Sequence, residues 1–201
     1  MSDAPFLLAS TSAARRAMLS AAGVAHEAVA PHVDEEALKL ALRAEHMKPR
    51  DQADALAEAK AVRVSQKYPT SLVLGADQIL ACADGRVLDK PANIDEARAQ
   101  LLSLRGQRHQ LISAAVVAQN GVAVWRHIAV AQLDMRAFSD AFLENYIAQE
   151  GDALCSTVGG YRLEGLGAQL FARIDGDYFT ILGLPLLAVL DYLRQRGIVQ
   201  P

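Results

Sequence analysis

Short apolar runs alternate with stripes of apolar residues at helical spacing along most of this chain. The runs predict strands over residues 6–9, 26–30, 72–74, 79–81, 87–88, 109–118, 122–133, 169–174 and 178–182. The stripes, with their caps and breakers, predict helices over residues 13–23, 49–68, 94–104, 139–149 and 186–196, and a further helix that starts near residue 34. Strand–helix units mixed with antiparallel hairpins are typical of an α/β protein with a mixed β-sheet.

One of these strands leads directly to an acid and then to a hairpin. The run over residues 72–74 is soon followed by Asp77, which puts a carboxylate at the end of a buried strand, where open α/β sheets bind their ligands. The Asp-Gly pair at 84–85 predicts a hairpin that would bring Lys90 back towards this acid. An acid and a lysine so placed suit a negatively charged substrate, with or without a metal. A strand-capping acid and a surface lysine explain this stretch alone equally well.

The first predicted helix begins with an unusual pair of cations. Ser12 is a good N-cap, and it places Arg15 and Arg16 in the first turn, where each cation costs about 0.3–1 kcal/mol against the helix dipole. A bound anion would reverse that cost. The hydroxyls of Ser10, Thr11 and Ser12 and the two guanidinium groups therefore predict a phosphate site. An exposed arginine pair on a surface helix is the alternative.

Two further charged positions allow a structural or a functional interpretation. The acidic cluster at 34–36 suits a helix N-terminus, but Glu35 could also face the cleft of Asp77 and help to hold Mg²⁺, which takes one or two carboxylates in proteins. Lys60 interrupts the apolar stripe of the helix over 49–68. Its side chain could snorkel to the surface or reach a phosphate.

Composition and charge exclude several classes of protein. The chain is 52% hydrophobic and 21% charged, which is ordinary for a globular protein, and its net charge of −3 gives no basic excess for nucleic acid. Cys82 and Cys155 lack CxxC spacing, which disfavours a disulfide framework and a zinc ribbon. Residues 1–16 lack a basic n-region and have too short an apolar run, so we expect no signal peptide there. The apolar segment 179–190 is shorter than the ~20 residues of a membrane span. We therefore expect a cytoplasmic protein with no membrane or nucleic-acid partner. The glycine-dense segment 159–167 matches neither the dinucleotide fingerprint nor the P-loop.

Several short motifs, taken in order, are similar to those of the Maf family of nucleoside triphosphate pyrophosphatases. They are LLASTSAARRAML at 7–19, APHVDE at 30–35, AEAKA at 57–61, GADQ at 75–78, LDKP at 88–91, the run from Glu96 through Gly106 to His109, GGYRLEGLGAQLFARIDGDY at 159–178 and GLPL at 183–186. Each motif is weak alone, but the ordered set is specific and covers nearly the whole chain. The resemblance implies an elongated α/β fold of the Maf and ITPase-like kind, with a mixed β-sheet flanked by helices and a central cleft. It also implies one domain over residues 1–201 with two lobes around that cleft, and a cytoplasmic homodimer.

The resemblance also implies a reaction, which is hydrolysis of a nucleoside triphosphate to the monophosphate and pyrophosphate with a divalent metal, Mg²⁺ or Mn²⁺. By motif position, Asp77 would be the proton acceptor and Glu35 would join it at the metal. The implied phosphate-binding residues are Ser10, Ser12, Arg15, Lys60 and Lys90. In-line attack of water on the α-phosphorus would then be assisted by these cations, which offset the developing charge.

The base preference follows from three positions of the resemblance. The family branch that acts on 7-methyl-GTP has Gln and Glu where this chain has Gln78 and Glu164, whereas the branch that acts on dTTP and UTP has Thr and Gln there. A carboxylate at Glu164 would accept the N–H groups of a guanine edge. Ala14 departs from the family, which has Trp or Arg at that position, so a stacking surface is lost and a broader nucleotide range stays open.

A non-catalytic role is the competing hypothesis, in which the chain binds a nucleotide or a protein partner and regulates cell division. The sequence favours the enzyme because the acid, both lysines and the arginine are all kept. A nucleic-acid-binding protein has little support from the charge balance.

Overall fold

The computed structural model describes residues 4–200 of the chain. The strands are β1 (Leu7–Ala9), β2 (Glu27–Ala28), β3 (Val73–Cys82), β4 (Val87–Leu88), β5 (Arg108–Gln119), β6 (Val122–Met135) and β7 (Phe171–Asp175). The α-helices are α1 (Ala13–Ala21), α2 (Glu35–Ala44), α3 (Pro49–Ser65), α4 (Ile94–Leu104), α5 (Asp140–Glu150), α6 (Tyr178–Ile181) and α7 (Leu186–Gln195). Segments of 3₁₀-helix lie at Gly151–Ser156, Val158–Gly160 and Leu166–Leu170. Residues 1–3, which belong to the segment predicted not to be a signal peptide, lie outside the described range.

The seven strands of the described residues form a mixed sheet. Its order is β2-β1-β3-β5-β6-β7, with β4 paired to β3 outside that path. β1 is parallel to both of its neighbours, so that Leu8 lies opposite Ala28 on one side and Leu74 on the other. β4 and β7 pair antiparallel with β3 and β6. The predicted α/β class with a mixed sheet is confirmed.

The prediction that Asp77 ends its strand is wrong, because β3 continues without a break through this residue. The parallel pairing with β1 stops at Ala9, which lies opposite Gly75. Further along, β3 pairs antiparallel with β4, with Leu80 opposite Leu88. Asp77 therefore lies just past the carboxyl end of a parallel pair, the edge at which open α/β sheets bind ligands, while the strand itself continues into the predicted hairpin.

The strand predicted over residues 178–182 is also wrong, because Tyr178–Ile181 forms the short helix α6. Aromatic and β-branched residues favoured a strand here. In the folded chain, the carbonyl groups of Thr180 and Ile181 accept hydrogen bonds from side chains far away in the sequence. Such tertiary contacts override a weak local preference.

The predictions that rested on local capping signals are confirmed. The Ser12 hydroxyl accepts a hydrogen bond from the Arg15 amide at 3.4 Å and begins α1. The Asn93 side chain accepts one from the Glu96 amide at 2.9 Å and begins α4. β7 begins later than predicted, because a 3₁₀ turn occupies the preceding residues.

Two compact units divide the chain, and the first carries most of the candidate site. It comprises residues up to Gln78, Ile112–Ala129 and residues from Tyr178 onward. Leu8 and Leu74 lie in one apolar cluster with residues of α1 and α7, whereas Leu7 and Val73 lie in another with Val64 of α3. Because β1 and β3 are covered on both faces, their sequences are continuous apolar runs rather than alternating ones.

The second unit comprises Ile79–Leu111 and Val130–Asp177. Its helices α4 and α5 pack against each other and against the 3₁₀ segments that follow them. Leu101 and Leu104 of α4 and Leu143 and Tyr146 of α5 are fully or almost fully buried. The Tyr146 hydroxyl accepts a hydrogen bond from the Arg162 amide at 3.1 Å, which fixes the start of the glycine-dense segment on α5.

Within residues 4–200, every helix is too short or too polar to cross a membrane. Cys82 and Cys155 are both free thiols.

Candidate active site

Three charged side chains meet in the first unit, and they come from helix α2, helix α3 and strand β3. The Lys60 ammonium lies 2.7 Å from Asp77 Oδ1 and 2.9 Å from Glu35 Oε2. Lys60 and Asp77 are buried, with 5% and 7% of their surface exposed, and Glu35 is half-buried. The structure therefore brings together both predicted metal-binding acids and one predicted phosphate-binding lysine, in a cluster with one more negative than positive charge.

Close packing of α3 on β3 places Lys60 in this cluster. A Cβ atom on Gly75 would lie 2.2 Å from the Ala57 carbonyl oxygen and 2.9 Å from Ala61 Cβ, so only glycine allows this approach. Lys60 lies on the same buried face of α3 as these two alanines. Its cationic end is paired with carboxylates, and this pairing explains how an ammonium group is accommodated inside an apolar stripe.

Glu35 reaches the cluster from the first turn of α2. Asp34 caps this helix by accepting a hydrogen bond from the Ala37 amide at 3.0 Å, and Glu35 and Glu36 both occupy the first turn. Acids there are stabilised by the helix dipole, as the structural interpretation of this segment predicts. Glu35 also contacts Lys60, whereas Glu36 is exposed and pairs with Lys39 on its own helix. The two neighbouring acids thus differ in their surroundings.

The two arginines of α1 also differ from each other. Arg15 is buried, and its guanidinium donates to the carbonyl oxygens of Gly183 at 2.8 Å and Ala76 at 2.9 Å. Burial lowers the pKa of Arg15, while the negative charges of Asp77 and Glu35 oppose that shift. An arginine keeps its charge in such a setting. Arg15 therefore brings a positive charge to the charged cluster and joins α1 to β3.

We expect Arg15→Lys to lower the free energy of unfolding by about 2–4 kcal/mol, because a single ammonium cannot replace both hydrogen bonds and a buried carbonyl is left unpaired. The matched variant Arg16→Lys changes an exposed residue of the same turn and should stay within about 0.5 kcal/mol of the wild type. Urea unfolding followed by circular dichroism measures both. Equal losses in the two variants would contradict the bonding role of Arg15.

The serines before α1 already serve local backbone groups. Ser10 is buried, and its hydroxyl accepts a hydrogen bond from the Ser12 amide at 3.2 Å. The hydroxyl of Ser12 caps α1. Each hydroxyl keeps a donor for a further partner. The contact of both serines with phosphate stays a prediction. Ala14 is half-buried on the first turn of α1, and its predicted effect on the range of nucleotides also stays a prediction.

Gln78 follows Asp77 on β3, and its side-chain amide is held by other parts of the first unit. The nitrogen donates to the carbonyl oxygens of Thr180 at 2.9 Å and Ile181 at 3.0 Å, and to the Ser113 hydroxyl at 3.0 Å. Sequence reasoning missed Ser113 altogether. A serine within the apolar run over 109–118 was the one available signal, because buried polar groups need partners.

Lys90 and Glu164 lie in the second unit. The approach of Lys90 to Asp77 stays a prediction, as does the contact of Glu164 with a guanine edge. Lys90 follows β4 and is exposed. The Glu164 carboxylate accepts a hydrogen bond from Arg162 Nε at 3.3 Å, and the same guanidinium pairs with Glu150 at 3.1 Å. Arg162 therefore orients Glu164, the acid that is predicted to help select the base.

A buried histidine and tyrosine anchor the glycine-dense segment that carries Glu164. His109 Nε2 and the Tyr161 hydroxyl lie 2.8 Å apart, and both side chains are buried. Burial lowers the pKa of His109 to about 4, so its imidazole is neutral at physiological pH. Gly159 and Gly160 lead into Tyr161 with φ of +79° and +66°, a conformation that favours glycine. The prediction that His109 is a residue of a strand is confirmed, and the structure adds its contact with Tyr161.

Comparisons with known proteins identify the family of the chain. A family model described as "Maf-like protein" matches residues 5–196. A protein of Caulobacter vibrioides named "Nucleoside triphosphate pyrophosphatase" is 57% identical over 98% of this chain and 98% of its own length. A protein of the same name from Hyphomonas neptunium is 53% identical over 96% of this chain and 96% of its own length. Another, from Paramagnetospirillum magneticum, is 52% identical over 97% of this chain and 100% of its own length. Because both kinds of match cover nearly the full length, this chain belongs to the Maf family.

Proposed function

We propose that this nucleoside triphosphate pyrophosphatase prefers 7-methyl-GTP, which it hydrolyses to 7-methyl-GMP and pyrophosphate. The observation that carries the reaction is the cluster of Glu35, Lys60 and Asp77 in the first unit, with the charge of Arg15 close to it. Acids and cations held together in this way suit the hydrolysis of a polyphosphate, because the reaction needs both a proton acceptor and positive charge.

Asp77 is the group that takes or orients the proton of the attacking water. It is buried, its Oδ1 atom is held by Lys60, and it lies past the carboxyl end of a parallel strand pair. The water attacks the α-phosphorus in line with the departing pyrophosphate. Lys60 and Arg15 offset the negative charge that grows on the phosphate oxygens, together with Lys90, whose contribution rests on the family motif.

Glu35 and Asp77 are the residues that would hold a divalent cation. Their oxygens already converge on one cation, the Lys60 ammonium, within 2.9 Å of it. Residues 4–200 contain no cluster of three or more histidine, cysteine or acidic side chains suited to a metal. Two carboxylates are nevertheless enough for Mg²⁺ or Mn²⁺, which complete their shells with water and substrate phosphates. A bound cation would supply Lewis-acid stabilisation of the phosphate charge.

The base preference is supported by Gln78 and Glu164, the residue types that the 7-methyl-GTP branch has at these positions. A carboxylate accepts the N–H groups of the guanine edge and favours the positive charge of a methylated ring. Ala14 favours a second candidate, a broad or dTTP- and UTP-hydrolysing enzyme, because a small side chain replaces the larger one that the family has there.

We also propose a cytoplasmic homodimer, as the resemblance implies. The free thiols of Cys82 and Cys155 suit a reducing compartment.

The test is pyrophosphate release by the wild type with Mg²⁺ or Mn²⁺, measured in parallel on 7-methyl-GTP, GTP, dTTP and UTP. We expect pyrophosphate rather than single phosphates, and the highest kcat/KM for 7-methyl-GTP. Comparable values for all four nucleotides would favour the broad enzyme. No release from any of them would overturn the proposal and leave the non-catalytic regulator of cell division as the better hypothesis.

A further inference from the structure

We infer that Ser113 is a positioning residue for base selection, because it fixes the Gln78 amide together with two main-chain carbonyl groups, so that only the carbonyl oxygen of that amide is left to meet a ligand. The inference rests on the proposed function, in which Gln78 helps to choose the base. It adds a residue that no family motif assigns. It also explains chemically which bases Gln78 would favour.

All the hydrogen-bonding capacity of the Gln78 amide nitrogen is used inside the first unit. The nitrogen carries two protons and faces three oxygen atoms at 2.9–3.0 Å, which belong to the main chain of Thr180, the main chain of Ile181 and the side chain of Ser113. The opposite orientation of the amide would direct its oxygen at two carbonyl oxygens, so these carbonyl groups exclude that orientation, and the Ser113 hydroxyl further restricts the rotation of the amide.

Ser113 completes this arrangement through the direction of its own proton. Its hydroxyl donates to the Thr180 carbonyl oxygen at 2.8 Å, and the side chain is fully buried. Since that one proton is committed, the hydroxyl can only accept from Gln78. Ser113 of β5 and the carbonyl groups of α6 thus hold the amide nitrogen together.

The remaining group of the amide is Oε1, and no donor of the described residues bonds to it. Gln78 is half-buried, and it follows the proton acceptor Asp77 on the same strand. Position 78 therefore offers a ligand an acceptor and no donor. An acceptor favours a base edge with N–H donors and disfavours one with carbonyl oxygens. Guanine has a ring N–H beside an amino group, whereas uracil and thymine have one N–H between two carbonyls.

The backbone that Gln78 binds is fixed a second time by Arg15. Its Nε atom donates to the Gly183 carbonyl oxygen at 2.8 Å. Gly183 has φ of +96°, and a Cβ atom there would lie 3.4 Å from Arg15 Nη2 and 3.6 Å from Gln78 Oε1. The turn after α6 thus binds Arg15, a predicted phosphate-binding residue, and lies beside Gln78, the predicted base-selecting residue.

The experiment uses Ser113→Ala, with Ser65→Ala as a matched control. Ser65 is equally buried in the first unit, and its hydroxyl also donates to a carbonyl, that of Val62 at 3.1 Å, and accepts from an amide, that of Gly121 at 3.0 Å. The two variants lose the same kind of contacts, but only Ser113 touches Gln78. We measure kcat and KM for GTP and for UTP in the wild type and in both variants.

In Ser113→Ala we expect the ratio of kcat/KM for GTP to that for UTP to fall about tenfold, mainly through a higher KM for GTP. Ser65→Ala should keep the wild-type ratio within about twofold. Equal losses for both nucleotides in Ser113→Ala, or an unchanged ratio, would overturn the inference, because a merely structural serine does not distinguish bases.

Amide hydrogen exchange of the Gln78 side chain provides a measurement that does not depend on turnover. The resonances are assigned by their absence in Gln78→Met. Slow exchange in the wild type and exchange at least tenfold faster in Ser113→Ala support the inference, whereas fast exchange in the wild type overturns it. If the wild type releases no pyrophosphate, the proposed function fails while this measurement still decides how Gln78 is held.

Discussion

Asp77→Asn is expected to lower kcat for pyrophosphate release about a thousandfold or more. The amide has nearly the same shape as the carboxylate, but it neither accepts a proton from water nor contributes a negative charge to a metal site. The fold should survive, because the amide oxygen can still accept the hydrogen bond that Lys60 donates at 2.7 Å, and Lys60 keeps its ion pair with Glu35. A loss confined to kcat therefore separates chemistry from stability.

The measurement is steady-state pyrophosphate release, together with calorimetric binding of a non-hydrolysable α,β-methylene nucleotide. Asp84→Asn is the control, since this acid lies in the exposed turn of the hairpin and pairs with Arg86. It should keep kcat within about twofold of the wild type. If Asp77→Asn retains kcat within tenfold, Asp77 does not act on the proton or the metal. If the analogue no longer binds, the residue acts in substrate binding.

Local sequence signals predicted the elements on which the site is built. These signals are two helix caps, Ser12 and Asn93, and the hairpin turn at 84–85. Each acts on groups a few residues away, so its effect could be predicted without knowledge of the fold. The apolar stripe of α3 likewise identified its buried face and put Lys60 on it. It could not identify what Lys60 meets there, because its two carboxylate partners come from α2 and β3.

The parts that were missed depend on contacts between distant residues. The hydrogen bond from Arg15 to Gly183 joins residues 168 positions apart, and that from Gln78 to Thr180 joins residues 102 apart. No periodicity or turn signal encodes such pairs. The same contacts explain why residues 178–182 form a helix in place of the predicted strand, since the short helix α6 directs its carbonyl groups at these side chains. The errors therefore fall next to the candidate site, where tertiary contacts outweigh local preference.

Gly75→Ala should be the most destabilising conservative change near the site, and should lower the free energy of unfolding by about 4 kcal/mol or more. The added Cβ atom would lie 2.2 Å from the Ala57 carbonyl oxygen and 2.7 Å from the Ala61 amide nitrogen. Both are main-chain atoms of α3, so no side-chain rotation relieves the overlap. Either β3 and α3 separate or the chain unfolds.

Gly85→Ala is the control that separates overlap from backbone strain. Gly85 has φ of +89°, which an alanine adopts only at a cost of about 1–2 kcal/mol, but a Cβ atom there would meet no atom within 4 Å. Guanidinium unfolding of the two variants should therefore differ by at least about 2 kcal/mol. Because Lys60 is on α3 and Asp77 is on β3, any folded Gly75→Ala protein should also lose activity. A stable and fully active Gly75→Ala variant would mean that the spacing between these two elements does not set the geometry of the charged cluster.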